Sequence, residues 1–166
     1  MQEPPVTAAD PAEPKGLSWG LESRLQFIDF RLRWERRINP MDLTEHFGIS
    51  IPQASLDIAK YTELAPNNLI YDRSSKTYTA APSFHPLYQR SSVQHYLAEL
   101  LATKMGVIEP ASSFIGSAPE ADWAPSPWRT INEQTVEAVV RAIRQQEAIW
   151  VSYQSMTSLD ESVRLL

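Results

Sequence analysis

The first half of the chain carries apolar side chains at spacings of three and four residues, the periodicity of helices that bury one face. The first such stretch opens at Ser18, in a capping arrangement with Glu22 nearby, and runs to about Arg37. Its apolar positions lie on two sides of the helix: Leu21, Leu25, Phe27, Ile28, Leu32 and Trp34. The pattern therefore predicts a long helix with two buried sides.

Two shorter helices are predicted after it. Asn39–Pro40 is an N-cap followed by proline at the first helical position, and this helix stops at Gly48, which suits a left-handed residue past the end. Ser50 then caps the next helix, and Gln53 completes a capping box with it. This third helix, over residues 51–61, ends before Pro66 and buries three positions: Ala54, Ile58 and Tyr61.

A change to strand-forming residues follows Pro66. Residues 69–71 and 77–79 are rich in aromatic and β-branched side chains and flank a polar turn over 72–76. Two such runs around a short polar turn are typical of a β-hairpin. We expect a two-stranded hairpin over residues 69–79.

The second half of the chain is divided by proline. Breaks rich in proline fall at residues 80–86 and 109–128, and the second contains four large apolar side chains that indicate packing against a surface: Phe114, Ile115, Trp123 and Trp128. The periodicity predicts helices over 92–105 and 132–146 and a strand over 149–153. The fold class is therefore mainly α with a small β component.

The order helix, helix, short break, helix, hairpin is that of a winged helix-turn-helix, in which the third helix enters the DNA major groove. Gly48 permits the sharp turn, and Ala54 and Ile58 let the two helices cross closely. Side chains outside the buried positions are the candidates for DNA contact. In the recognition helix these are Ser50, Pro52, Gln53, Ser55, Leu56 and Lys60, and in the wing they are Arg73, Ser74, Ser75 and Lys76.

The chemistry of these candidates matches DNA recognition. Gln53 can pair with an adenine edge, Ser55 can bond a base or a phosphate, and Ser50 at the helix N-terminus suits a phosphate. The charged wing tip suits the DNA backbone. Leu56 has two interpretations, contact with a thymine methyl group or cover for a neighbouring helix. Plain packing of two helices around a glycine remains the alternative interpretation of the motif.

The charge of the chain does not decide the partner. The net charge is −5, yet residues 20–90 carry nine bases and eight acids and are the one part that is not net acidic. Four of those bases fall within seven residues: Arg31, Arg33, Arg36 and Arg37. A solvated helix face paired with Asp29 and Glu35 explains these arginines better than phosphate contact does.

Several classes of protein are excluded or disfavoured. The chain has no cysteine, and its three histidines (46, 85 and 95) fall on different predicted elements, so neither a metal site nor a cofactor is expected. Its five glycines are too far apart for a phosphate-binding loop, and we expect no enzyme activity. The chain contains no apolar run long enough to span a membrane and no signal-peptide pattern, so a cytoplasmic location is expected.

Residues 18–90 closely resemble the N-terminal winged helix-turn-helix of WYL-domain transcriptional regulators, specifically those of bacterial phage-defence loci (the BREX and CBASS regulators). The resemblance is carried by WGLESRLQFIDFRLRWERRINPMDLTEHFGIS and IPQASLDIAKYTELAPNNLIYDRSSKTYTAAPSF, and more loosely by VVRAIRQQEAIWVSYQSMTS. The last segment resembles the first helix and strand of a WYL domain, a small Sm-like β-barrel. The resemblance implies a homodimeric repressor that binds an inverted repeat in double-stranded DNA.

The expected organisation has four parts: a disordered lead-in over 1–17, the winged helix-turn-helix over 18–90, a linker helix and proline-rich linker over 91–128, and the start of a truncated WYL domain over 129–166. No W-Y-L tripeptide is present, and the family's effector is not expected to bind this chain. Two alternatives to an operator-binding repressor are a winged-helix protein-interaction module and a truncated, dominant-negative partner of a full-length regulator.

Overall fold

The computed structural model describes residues 16–121, 132–154 and 161–165, and the chain divides into two compact units, the first ending at Ser117 and the second beginning at Ala118. The first unit contains α1 (Trp19–Glu35), β1 (Arg37–Ile38), α2 (Pro40–Phe47), α3 (Ile51–Leu64), β2 (Leu69–Asp72), β3 (Thr77–Ala80) and α4 (Val93–Lys104). This is the winged helix-turn-helix order, mainly helical with a small antiparallel sheet, as the sequence predicts. The predicted lead-in up to residue 15, and Trp123 and Trp128, lie outside the described residues.

The two helices of the helix-turn-helix begin at hydrogen-bonded caps. The Asn39 side chain accepts from the backbone NH of Asp42 at 3.1 Å, and the backbone NH of Asn39 donates to the Asp42 carboxylate at 2.7 Å. Gly48, past the end of α2, has φ 65°, where a glycine meets no steric penalty. Ser50 caps α3 as predicted, but Gln53 does not complete the box, because its side chain bonds elsewhere in α3.

The beginning and end of α1 differ from the prediction. Ser18 stands at the N-cap, but its side chain makes no capping hydrogen bond. The helix ends at Glu35 because Arg36 is left-handed, with φ 62°. Arg37 and Ile38 then form β1, which pairs with β3 and gives a three-stranded antiparallel sheet of order β1–β3–β2. A strand of two residues shows no periodicity, so the sequence pattern did not reveal it.

Helix α1 is the centre of the core. Leu25, Phe27, Ile28, Phe30 and Leu32 are fully buried, so this helix is enclosed rather than packed on one face. Burial of each such side chain contributes about 1.5–3 kcal/mol to folding.

One end of this core is an aromatic cluster. The His46 ring stacks on Phe27 with 4.6 Å between centroids, and Phe47 and Phe114 meet Phe27 edge-on. Burial and the neighbouring Arg31 charge lower the pKa of His46, so the imidazole packs here as a neutral ring.

The compact unit continues past residue 90, where the sequence placed the end of the winged helix. Helix α4 packs on α1 through the stacked rings of Tyr96 and Trp34, 4.1 Å apart. The Glu99 carboxylate accepts from the Ser113 hydroxyl at 2.8 Å and from the backbone NH of Phe114. These bonds hold residues 113–117, which we call the strap, against the core, with Phe114 and Ile115 buried as the sequence indicated.

The strap ends at a close contact with α1. The Glu35 carboxylate accepts from the backbone NH groups of Gly116 at 2.5 Å and Ser117 at 3.3 Å, and it also pairs with Arg31 at 3.0 Å. A Cβ on residue 116 would overlap the Arg31 guanidinium and lie 2.8 Å from Glu35 Oε1. A residue with a Cβ at 116 would therefore have to displace the ends of the Arg31 and Glu35 side chains.

A buried carboxylate joins α1, α3 and the loop before α4. Asp29 is fully buried and accepts from the hydroxyls of Tyr61 and Ser91, each at 2.5 Å, and from the backbone NH groups of Leu87 and Tyr88. Burial raises the pKa of Asp29, whereas each of these four donors lowers it. The sequence interpretation paired Asp29 with arginines on a solvated face, and this is wrong because the side chain points into the core.

The second unit contains α5 (Glu133–Gln145), β4 (Trp150–Gln154) and β5 (Glu161–Leu165). Asn132 caps α5 by accepting from the backbone NH of Thr135 at 3.0 Å. Strands β4 and β5 pair antiparallel, whereas the sequence predicted one strand here. None of the helices in the described ranges is long and apolar enough to cross a membrane.

We expect Asp29→Asn to lower the free energy of unfolding by about 2–4 kcal/mol, because asparagine replaces one carboxylate oxygen with an NH2 group that faces two of the four donors. Urea unfolding followed by circular dichroism measures the change. Glu45→Gln on the exposed face of α2 is the control, with an expected change within about 0.5 kcal/mol. Equal effects of the two substitutions would contradict the role given to Asp29.

We expect Gly116→Ala to destabilise the first unit by about 1–3 kcal/mol, since the new methyl group must displace the Arg31–Glu35 pair. Thermal unfolding of the full chain measures the loss. Gly20→Ala, in the first turn of α1, is the matched control: among the described residues its Cβ would meet Arg24 at 3.5 Å, and alanine favours a helix over glycine by up to about 1 kcal/mol. The two glycine substitutions should therefore have opposite signs.

Candidate nucleic-acid interface

Helix α3 presents one face to the core and one to solvent. Ala54, Asp57, Ile58 and Tyr61 are buried against the rest of the first unit. The exposed side carries four of the predicted contact residues: Ser50, Pro52, Ser55 and Leu56. Leu56 is 65% exposed, so it does not cover a neighbouring helix of this unit.

Gln53 lies in the first turn of α3 and is bound within the helix. Its Nε2 donates to Asp57 Oδ1 at 3.0 Å, one turn further along. Asp57 is 2% exposed, and Arg24 of α1 binds both its oxygens, with Nε at 2.6 Å and Nη2 at 3.3 Å. A charge-assisted, two-point contact of this kind compensates the burial of a carboxylate. The three side chains form a line from α1 to the first turn of α3.

The other polar candidates on α3 make local bonds. The Ser50 hydroxyl accepts the capping bond from Gln53 NH at 3.4 Å, and the Ser55 hydroxyl donates to the Ile51 carbonyl at 3.0 Å. Lys60 pairs with Glu63 at 2.8 Å, but both side chains are well exposed, so this pair is weak and opens readily. These bonds leave the Ser50 and Ser55 oxygens with acceptor capacity toward solvent.

The wing turn is organised around Asp72. One carboxylate oxygen accepts from the Ser74 backbone NH at 2.9 Å and hydroxyl at 2.7 Å, and the other accepts from the Ser75 hydroxyl at 2.6 Å. These bonds lower the pKa of Asp72 to about 2. Ser74 and Ser75, both predicted to contact DNA, therefore donate their hydroxyl hydrogens to Asp72 and hold the turn.

The cations of the wing tip stand apart from this network. Arg73 and Lys76 are exposed, and neither makes an ion pair with any residue in the described ranges. Lys76 has φ 52°, a left-handed conformation that costs a residue with a Cβ about 1–2 kcal/mol. The turn thus carries two positive side chains on a backbone held by Asp72.

The four arginines near the end of α1 have different surroundings. Arg31 is half-buried, pairs with Glu35 and lies over the Phe27 ring at 4.7 Å. Arg33 donates to the Ser91 carbonyl at 3.0 Å. Arg36 approaches the Ala80 and Ala81 carbonyls at 3.4 Å. Arg37 is exposed on β1. The interpretation of these arginines as paired holds for Arg31 with Glu35, whereas Asp29 takes no part.

The sequence interpretation missed Arg24 and Asp57. A signal for Asp57 was present, because position 57 falls on the same helical face as the buried positions 54, 58 and 61. A charged residue in a buried stripe requires a partner. The spacing does not reveal which arginine supplies it, since Arg24 lies 33 residues away in sequence.

The described residues contain no group of three or more histidine, aspartate or glutamate side chains that could hold a metal ion.

Comparison with known proteins gives a consistent result. Residues 20–102 match the family described as the BrxR transcriptional regulator winged helix-turn-helix domain. Proteins named DNA-binding transcriptional repressor CapW are 45% identical in Escherichia coli and 43% identical in Pseudomonas aeruginosa, each over 152 residues covering 92% of this chain and 51% of the relative. A Stenotrophomonas maltophilia protein of the same name is 45% identical over 83% of this chain and 46% of its own length. The chain thus spans about half the length of the curated relatives it matches.

We expect Lys76→Gly to raise the free energy of unfolding by about 0.5–1 kcal/mol, because glycine relieves the left-handed strain at the wing tip. Lys76→Ala is the matched control, since it removes the same charge but keeps a Cβ. Chemical unfolding of both variants measures the difference. A glycine variant no more stable than the alanine variant would contradict the strain assigned to residue 76.

Proposed function

The chain belongs to the family of BrxR-type winged helix-turn-helix regulators, and from this premise we propose that it binds double-stranded DNA sequence-specifically and represses transcription. The α3 helix is proposed to enter the major groove, with the β2–β3 hairpin as the wing along the DNA backbone. The CapW relatives are named as DNA-binding transcriptional repressors, which supports the same function for this chain.

The proposal rests on the contrast between the two sides of α3, one bonded to α1 and the other exposed to solvent. Asp57 and Tyr61 fix the buried side of the helix to α1 through hydrogen bonds, so the helix is held at a defined rotation. The opposite side presents short polar and apolar groups at its N-terminal end, where recognition helices contact base edges. The exposed cations of the wing, Arg73 and Lys76, supply charge for phosphates.

The finer features of the proposal extend to the whole regulator. We propose a homodimer on an inverted-repeat operator that lies upstream of its own gene or of a phage-defence operon, in the cytoplasm. Residues 129–166 are proposed as the start of a WYL domain. The chain covers about half the length of its CapW relatives, so repression is proposed for the whole regulator rather than for this part of it alone.

A protein-interaction module is the rival function. Ile51 and Leu56 on the outer side of α3 are 50% and 65% exposed, and exposed apolar side chains on one helix suit a protein partner. Residues 20–90 carry only one more base than acids, which suits either partner.

Fluorescence anisotropy with duplex DNA from upstream of the gene, against a scrambled duplex, tests the proposal across a salt series. We expect binding to the upstream duplex to be tighter by tenfold or more, about 1.4 kcal/mol, with a salt slope that reflects several phosphates. No binding to either duplex at low salt would favour the protein-interaction module.

Two variants separate the proposed roles of helix and wing. Gln53→Ala should weaken binding to the upstream duplex more than to the scrambled duplex, because a base contact is lost. Lys76→Ala should weaken both to a similar extent and reduce the salt slope by about one, because a phosphate contact is lost. Equal losses on both duplexes for both variants would refute the assignment of roles.

A further inference from the structure

The Gln53 carboxamide is restrained by its neighbour rather than free to rotate. Asp57 Oδ1 can only accept a hydrogen bond while the carboxylate is ionised, so the group that faces it at 3.0 Å must be the NH2 group of Gln53 and not its oxygen. Arg24 pairs with the same carboxylate, with Nε at 2.6 Å from Oδ2 and Nη2 at 3.3 Å from Oδ1, so both carboxylate oxygens are occupied by donors. Rotation of the amide by half a turn would set two oxygens against each other.

This restraint determines which groups Gln53 can offer to a ligand. The amide nitrogen has two hydrogens, and Asp57 takes one of them. When the hydrogen anti to the amide oxygen is the one bound to Asp57, the other hydrogen and the oxygen remain side by side, as a donor and an acceptor. Adenine presents the complementary pair in the major groove, an acceptor at N7 and a donor at N6, whereas guanine presents two acceptors at N7 and O6. The restrained amide therefore accepts adenine and places its oxygen against an acceptor of guanine.

We infer that Asp57, held by Arg24, is a positioning residue for base recognition, and that it makes Gln53 select adenine and reject guanine at one base pair of each half-site. The inference rests on the proposed function, because it assumes that α3 lies in the major groove. Asp57 itself is 2% exposed and contacts no base. Asp57 acts by orienting the Gln53 side chain, which lies one helical turn before it.

Selection from a randomised duplex library with the full chain, followed by binding to single-base variants of the selected site, tests the inference. Wild type should select adenine at one position per half-site, and Gln53→Ala should lose that preference. Asp57→Asn allows the amide to take either orientation, because asparagine offers both a donor and an acceptor. We expect this variant to lose the preference for adenine over guanine by about fivefold or more at the same position only.

Ser113→Ala is the control. It removes buried hydrogen bonds of the strap, to Glu99 and to the backbone NH of Ile115, and leaves the hydrogen bonds of α3 intact. This variant should have a lower Tm and an unchanged base preference. If Asp57→Asn relaxes several positions, or if Ser113→Ala relaxes the adenine position equally, the inference fails and Asp57 has only a structural role.

The double variant Gln53→Ala/Asp57→Asn separates positioning from direct effects. Without the amide, Asp57→Asn should change base preference no further, and an additional change at the same position would overturn the inference. If wild type enriches no sequence at all, the proposed function fails and the inference fails with it. If wild type enriches a sequence but Asp57→Asn keeps the preference for adenine, the inference fails while the proposed function stands.

A measurement on the wild-type chain covers the case in which Asp57→Asn does not fold. The side-chain NH2 signals of Gln53, assigned by their disappearance in Gln53→Ala, should show the ordered heteronuclear relaxation of a restrained group in the absence of DNA. Relaxation typical of a freely moving side chain would overturn the inference without any variant at position 57.

Discussion

The carboxylate of Asp29 joins the parts of the winged helix that must keep their relative positions. Through the Tyr61 hydroxyl it ties α1 to α3, and through Ser91 and the backbone at Leu87 and Tyr88 it ties α1 to the loop before α4. Tyr61 also accepts from Asn68 at the start of the wing. Hydrogen bonds are directional, so these contacts specify a rotation of α3 that apolar packing alone would leave less defined. The outer face of α3 is useful for recognition only if that rotation is fixed.

The sequence predicted the elements that depend on local rules. The capped start of α2, the left-handed Gly48, the Ser50 cap and the hairpin around residues 72–76 were all predicted from nearby residues, and the structure confirms each. The helix-turn-helix motif could also be recognised from local sequence, because Gly48, Ala54 and Ile58 lie within eleven residues. The family resemblance then placed these elements in a regulator, which the match over residues 20–102 confirms.

The parts that escaped prediction depend on contacts between distant residues. Strand β1 exists because β3, some 40 positions later, supplies its partner at Thr79. The strap belongs to the first unit because Glu99 and Glu35 bind its backbone, and a proline-rich composition contains no sign of either bond. Arg24 and Asp57 find each other across 33 residues. In the candidate site, the sequence identified the exposed positions Ser50, Pro52, Ser55 and Leu56, but not the burial of Asp57 or the orientation of Gln53.

The left-handed backbone of Lys76 has a consequence for the evolution and engineering of this protein. Glycine adopts this backbone conformation with the least strain, whereas only lysine or arginine keeps the second cation of the wing tip. A laboratory search that rewards heat resistance alone will be drawn to glycine or asparagine at position 76 and will discard that charge. Stability favours glycine at position 76, whereas the charge of the wing requires a basic residue, so variants of the wing should be screened for both properties at once.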